Sequence, residues 1–211
     1  MRKGGDAGRR TGGPAQKRKK GGERMEEWEK DKQTAYRLLS RLTPEKIVRM
    51  RRFRKLVYKA AELTDETGHE TGFKVYATHR TRDGLAFGPV VLGSGDELYS
   101  PFRIELFEPG CLILYLHFHP DAEGAIVPST EDLHSTLGLF PEEKFFPWAV
   151  IAQVRRNGRI DLLFIRAQYG ADPEIELSEV SEARQGEINK KLEEAGFIVA
   201  FFSIKPKLKK E

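Results

Sequence analysis

An apolar run that ends in an imidazole pair and a proline, Cys111-Leu112-Ile113-Leu114-Tyr115-Leu116-His117-Phe118-His119-Pro120, constrains this chain most strongly. Its first six residues read as a β-strand. Side chains at i and i+2 of a strand share a face, so His117 and His119 aim their rings at one point. Pro120 cannot continue a central strand, which puts the pair at a strand end where a loop opens a pocket. Beyond the loop comes Pro128-Ser129-Thr130-Glu131-Asp132. Neutral imidazoles with one carboxylate are a usual ligand set for catalytic zinc, which keeps a fourth position for water. The second segment also suits a helix start, with Ser129 as N-cap and acidic residues in the first turn. Capping accounts for the serine and the acids, but not for two same-face histidines beside them.

The rest of the chain supplies a frame for that strand. Residues 24–40 read as a charged helix, with Met25, Trp28, Tyr36, Leu38 and Leu39 as its anchors. Thr43-Pro44-Glu45 opens a second helix by its cap, its proline and its acid. That helix carries Ile47, Val48, Phe53, Leu56, Val57, Ala60 and Ala61 at near-helical spacing. Arg49, Arg51, Arg52, Arg54 and Lys55 crowd its other side, either as a solvated face or as a patch for an acidic partner. Strands are expected at 72–80 and 84–93, joined by Arg82-Asp83-Gly84, then at 101–108 and 111–119. A helix follows over 129–138. Residues 145–154 and 159–168 pair as a hairpin through Asn157-Gly158. A charged helix near 179–195 stops at Gly196, before a last strand over 197–204. This order implies a mixed α/β (α+β) domain built on a central sheet. The aromatics Phe140, Phe145, Phe146 and Trp148 either fill the core or line a groove beside the histidines.

Charge is distributed unevenly. Residues 1–24 carry +7 and residues 205–211 carry +3, which leaves −6 on the body between them in a chain of net charge +4. Residues 1–23 are rich in Gly, Lys and Arg and lack apolar periodicity, so they are expected to be disordered. Within them Lys17, Arg18, Lys19 and Lys20 could contact nucleic-acid phosphate or another acidic partner. No aromatic is interleaved there for base stacking, so a merely solubilising tail is the competing reading. The division is a basic tail (1–23), a charged helical extension (24–42), a metal-binding domain (43–204) and a basic C-terminal tail (205–211).

No run approaches 18 apolar residues, so no membrane span is expected, and no apolar segment follows the basic start as in a signal peptide. Cys111, the single cysteine, can form no internal disulfide, in keeping with a cytoplasmic location. It reads as a small buried hydrophobe. Abundant charge with only two asparagines, Asn157 and Asn189, is the composition of a thermophile's protein.

The string His117-x-His119-Pro120, then a loop, then Ser129-x-x-Asp132, preceded far upstream by a glutamate, resembles the motif of the JAMM (MPN+) metalloproteases. Members of that family hydrolyse isopeptide or peptide bonds next to ubiquitin or ubiquitin-like modifiers. The motif covers residues 70–133, and the order of elements extends the resemblance to residues 44–170. Nine residues separate His119 from Ser129, two more than is usual in the family. The resemblance implies an MPN/JAB-like central mixed sheet flanked by helices, and Zn2+ on His117, His119 and Asp132. It makes Glu70, in His69-Glu70-Thr71-Gly72-Phe73, the general base, and Ser129 the hydrogen-bond donor to the oxyanion. Glu66 in the same loop is the second choice for the base. Glu105 and Glu108, on the strand before the histidines, read as solvent-facing. The implied activity is that of a zinc metallo-isopeptidase acting on ubiquitin-like protein conjugates. RadC-like proteins share a similar metal motif and are linked to DNA repair, so a nucleic-acid-associated protein is one alternative. An inactive MPN scaffold subunit is the other.

Overall fold

A computed structural model describes residues 15–93, 110–120, 124–137, 146–177 and 184–205, with side chains from residue 25 onward. The elements are α1 (Ala15–Leu39), α2 (Pro44–Arg49), α3 (Arg51–Thr67), β1 (Thr71–Ala77), β2 (Leu85–Phe87), β3 (Val91–Leu92), β4 (Cys111–Phe118), α4 (Thr130–Thr136), β5 (Trp148–Val154), β6 (Ile160–Ala167), α5 (Gln185–Glu194) and β7 (Phe197–Ile204). They form a mixed α+β domain around one seven-stranded sheet of order β2-β1-β4-β5-β6-β7, with β3 also on β1.

β4 and β5 are parallel, while every other pairing is antiparallel. A parallel pair buried on both faces should be apolar throughout rather than alternating. Cys111–Leu116 and Trp148–Ala152 meet that requirement. One sheet face carries Phe73, Val75, Leu116, Phe118, Val150, Ala152 and Phe164, packed with Phe53, Val57 and Ala60 of α3. The opposite face carries Tyr115, Ile151, Leu163 and Ile165, packed with Leu133 of α4 and with Ile188 and Leu192 of α5. Helices therefore cover both faces.

Several elements differ from the reading of the sequence. α1 reaches back to Ala15, into the stretch expected to be disordered. Ala15 to Lys20 are all good helix formers, and they simply prolong the helix that follows. The backbone of Lys17, Arg18, Lys19 and Lys20 therefore lies within α1. Of its expected anchors, Leu38 and Leu39 pack against the core, but Met25, Trp28 and Tyr36 are exposed, whereas Asp31, Thr34 and Ala35 are buried. A polar contact takes the place of the exposed three, because Asp31 meets His79 beyond β1. The second helix is broken at Met50, whose extended backbone (ψ 122°) ends α2 and starts α3. The strand expected over 84–93 is split into β2 and β3 at Gly88-Pro89, since proline has no N–H for a ladder. Residues 101–108, with Glu105 and Glu108, lie outside the described residues, as do Phe140 and Phe145. Phe146 and Trp148 pack in the two core layers. Cys111 is buried, as expected of a small hydrophobe. The Asn157-Gly158 turn joins β5 to β6, with Gly158 at φ 75°. No helix among the described residues is long and apolar enough to cross a membrane.

Candidate metal centre

The site is assembled at the carboxyl end of β4. Chain direction places it there, since β4 leads through a loop and α4 into its parallel neighbour β5. Crevices of α/β sheets open outside such carboxyl ends. His117 is the penultimate residue of β4, and the backbone N–H of His119 still bonds the Ala152 carbonyl of β5 at 3.0 Å. Both rings thus leave the same sheet face from a fixed backbone.

α4 brings the carboxylate. Ser129 caps the helix by accepting the Asp132 N–H at 3.1 Å, and Asp132 Oδ2 accepts the Ser129 N–H at 2.8 Å. This reciprocal capping box leaves Asp132 Oδ1 facing His117 Nε2 at 3.0 Å. Capping and metal binding are therefore compatible uses of the same residues. His117 Nε2 lies 3.1 Å from His119 Nε2, and His119 Nε2 lies 3.7 Å from Asp132 Oδ2. Zinc–ligand bonds of ~2.0–2.1 Å imply donor separations of ~3.3 Å in a tetrahedron. The three separations bracket that value, so this donor set fits a zinc-sized ion. Among the described residues, this is the group of His, Cys, Asp and Glu side chains that could share one metal ion.

Burial and charge prepare the donors. Burial opposes protonation of His117, but its hydrogen bond to Asp132 and the charges of Asp132 and Glu70 outweigh that and raise its pKa. Burial and then the neighbouring His117 charge lower the His119 pKa to about 4, so its ring is neutral at pH 7. Burial pushes the Asp132 pKa up, yet the His117 hydrogen bond and the charges of both histidines bring it to about 2. A neutral imidazole and an ionised carboxylate are the forms that bind metal. His119 keeps 25% of its side-chain exposure, against 8% for His117 and 12% for Asp132, so the cluster is open on the His119 side.

Glu70 stands close enough for its charge to act on His117. Its position follows from α3 and β1. α3 stops at Gly68, which takes the left-handed φ of 67° that glycine tolerates. β1 begins one residue after Glu70, with Thr71, whose buried hydroxyl bonds the Ala60 carbonyl (2.9 Å) and the Thr64 hydroxyl (2.6 Å). Thr71 pairs with Phe118 and Gly72 with His117, so half-buried Glu70 falls beside the histidine end of β4. A Cβ at Gly72 would run into the Leu116 carbonyl oxygen, so only glycine permits this close approach. Glu66 is exposed within α3.

Four supporting residues escaped the sequence reading. Tyr115 stacks on His117 (ring centroids 6.1 Å apart, 4° between planes), and its hydroxyl donates to the Asp132 carbonyl at 3.1 Å. It also bonds Ser135, which ties α4 to β4. Burial, then the Asp132 charge, raises the Tyr115 pKa and keeps that hydroxyl a donor. Arg155 bonds Asp161 at 2.5 Å and the Gly124 carbonyl in the loop after His119. Gln185 of α5 accepts the Ile126 N–H at 2.8 Å in the same loop. Gln153 is buried beside His119 on β5. Period-2 spacing of His117 and His119 could have pointed to Tyr115, but nothing local marks the other three.

Compared with known protein families and with curated proteins, the chain matches no family and no curated protein.

Proposed function

We propose that this chain is a zinc-dependent amide hydrolase of the JAMM (MPN+) kind, acting on isopeptide bonds of ubiquitin-like protein conjugates. The observation that carries the reading is the convergence of His117 Nε2, His119 Nε2 and Asp132 at zinc-like separations, with Glu70 near enough to act on His117. The substrate class rests on the motif, whose glutamate, histidines, serine and aspartate occur here in the family's order along the chain. The helix-flanked mixed sheet is in keeping with an MPN-type fold.

When bound, a zinc ion supplies Lewis acidity, lowering the pKa of a water from ~15.7 towards ~7. His117, His119 and Asp132 would hold the ion and would leave the His119 side open to substrate. Glu70 takes a proton from the attacking water and returns it to the departing lysine amine. The Ser129 hydroxyl already accepts the Asp132 N–H, so its own proton is directed outward as a donor to the carbonyl oxygen as charge develops there. No covalent enzyme intermediate is needed.

The test is metal analysis of purified protein together with cleavage of an isopeptide-linked modifier–lysine conjugate. About one zinc per chain, and cleavage that a chelator abolishes and zinc restores, are expected. Zinc-loaded protein that leaves both the conjugate and a small amide substrate intact would overturn the assignment.

A further inference from the structure

The sheet face that bears the histidines changes character in one row. Next to His117, the partners in register are apolar: Ile151 on β5, Leu163 on β6 and Phe201 on β7. One step on, beside His119, the row reads Gln153, Asp161 and Ser203. Asp161 is satisfied by Arg155 and Ser203. Gln153 is different. It is 1% exposed, and among the described residues neither its amide oxygen nor its amide nitrogen has a hydrogen-bond partner. An unsatisfied buried amide is destabilising, so a residue of this kind asks for a reason.

Its neighbour supplies one. The His119 N–H bond to the Ala152 carbonyl carries the β4–β5 register one residue further, which sets Gln153 one strand from His119, ~4.8 Å away in the hydrogen-bonding direction and on the same face. His119 turns Nε2 toward His117 and Asp132. A histidine that binds metal through Nε2 carries its proton on Nδ1, and that N–H is almost always held by an acceptor that fixes the ring. Asp161 is already engaged. Gln153 brings an acceptor oxygen of the right kind from the adjoining strand.

We propose that Gln153 is the positioning residue of the metal centre, its amide oxygen accepting the Nδ1–H of His119 directly or through one water. The inference rests on the metal-centre reading above and deepens it. Gln153 touches neither metal nor substrate in this role. It selects the tautomer of His119 and limits ring rotation, and so sets how tightly the three donors close on an ion. His119 is the ligand that most needs such support, because the His117 ring is already stacked on Tyr115.

The experiment compares the full chain with Gln153→Met and Gln153→Glu by zinc and cobalt(II) titration and by thermal unfolding of the metal-free proteins. Gln153→Met keeps the volume and removes the acceptor. It should weaken metal binding ~10–100-fold, the usual effect of losing such a partner. The metal-free protein should be as stable as the parent or more so, since an unsatisfied amide has been replaced by an apolar group. Gln153→Glu keeps an acceptor and should bind within a few-fold of the parent, with the parent's cobalt visible spectrum. Equal affinity of the parent and Gln153→Met overturns this inference alone, as does a Gln153→Glu that binds as weakly as Gln153→Met. Failure of the parent to bind zinc or cobalt overturns the metal-centre reading and this inference with it.

Discussion

Among the described residues, beside the single His134–Glu174 pair, two larger histidine–carboxylate clusters are built to opposite ends. At His79, Nδ1 meets Asp31 at 2.7 Å and Nε2 meets Glu27 at 3.0 Å, and Arg80 and Lys30 also contact Glu27. Both ring nitrogens are used, and both carboxylates come from α1. The cluster fastens a helix that has few buried apolar residues of its own. At His117, His119 and Asp132 the donor atoms face one another across a common point. Contact between imidazole and carboxylate is thus common to both. What separates a ligand set from a clasp is whether the lone pairs converge.

That contrast breaks most sharply under substitution of the histidines. His117→Ala or His119→Ala should reduce bound zinc from about one per chain to none, with the fold retained, as metal analysis and circular dichroism would show. Full zinc occupancy in the double variant would place the metal elsewhere. Glu70→Gln comes next. It keeps size and reach but cannot take a proton, so turnover should fall at least ~10²-fold while zinc stays bound. Glu66→Gln, Glu105→Gln and Glu108→Gln should each be mild. An active Glu70→Gln beside one inactive member of those three would move the base to that residue.

The clasp should respond in stability rather than chemistry. His79→Ala takes the imidazole from buried Asp31, leaving it the backbone N–H at position 79, and should cost ~1–3 kcal/mol in denaturant unfolding, with zinc content unchanged. Loss of zinc with His79 would show that the two clusters are coupled. The smallest effect is expected from deleting residues 1–23, which spares Glu27 and Asp31. Hydrolysis of a small substrate should be unchanged, and any binding to nucleic acid should weaken, most visibly at low salt. Equal nucleic-acid affinity with and without the segment would remove it from consideration as a binding arm.

Local pattern was legible where it determines local structure. Period-2 spacing put His117 and His119 on one face, Asn157-Gly158 marked its hairpin, Gly196 marked the end of α5, and Phe197–Ile204 was bounded correctly. Ser129-x-x-Asp132 read as a cap, and it is one. The misreadings have a shared cause. The clasp joins residues 48 positions apart through polar atoms, so no apolar periodicity announces it, and α1 looked as if Met25, Trp28 and Tyr36 must hold it. Gln153 sits inside an apolar strand where a single amide resembles a surface position. The break at Met50 is a change of one backbone angle between two sequences that are each good helices. Such features depend on the partner across the fold, which spacing along the chain does not encode.

The loop after His119 has a consequence for how this centre tolerates change. Arg155 grips it at Gly124 and Gln185 grips it at Ile126, ahead of the Ser129 cap. The stretch that orients Asp132 therefore starts at those grips and not at Pro120. The carboxylate is thereby referenced to the β5–β6 turn and to α5 as well as to the strand that carries the histidines, so three parts of the fold must keep their places for the donors to converge.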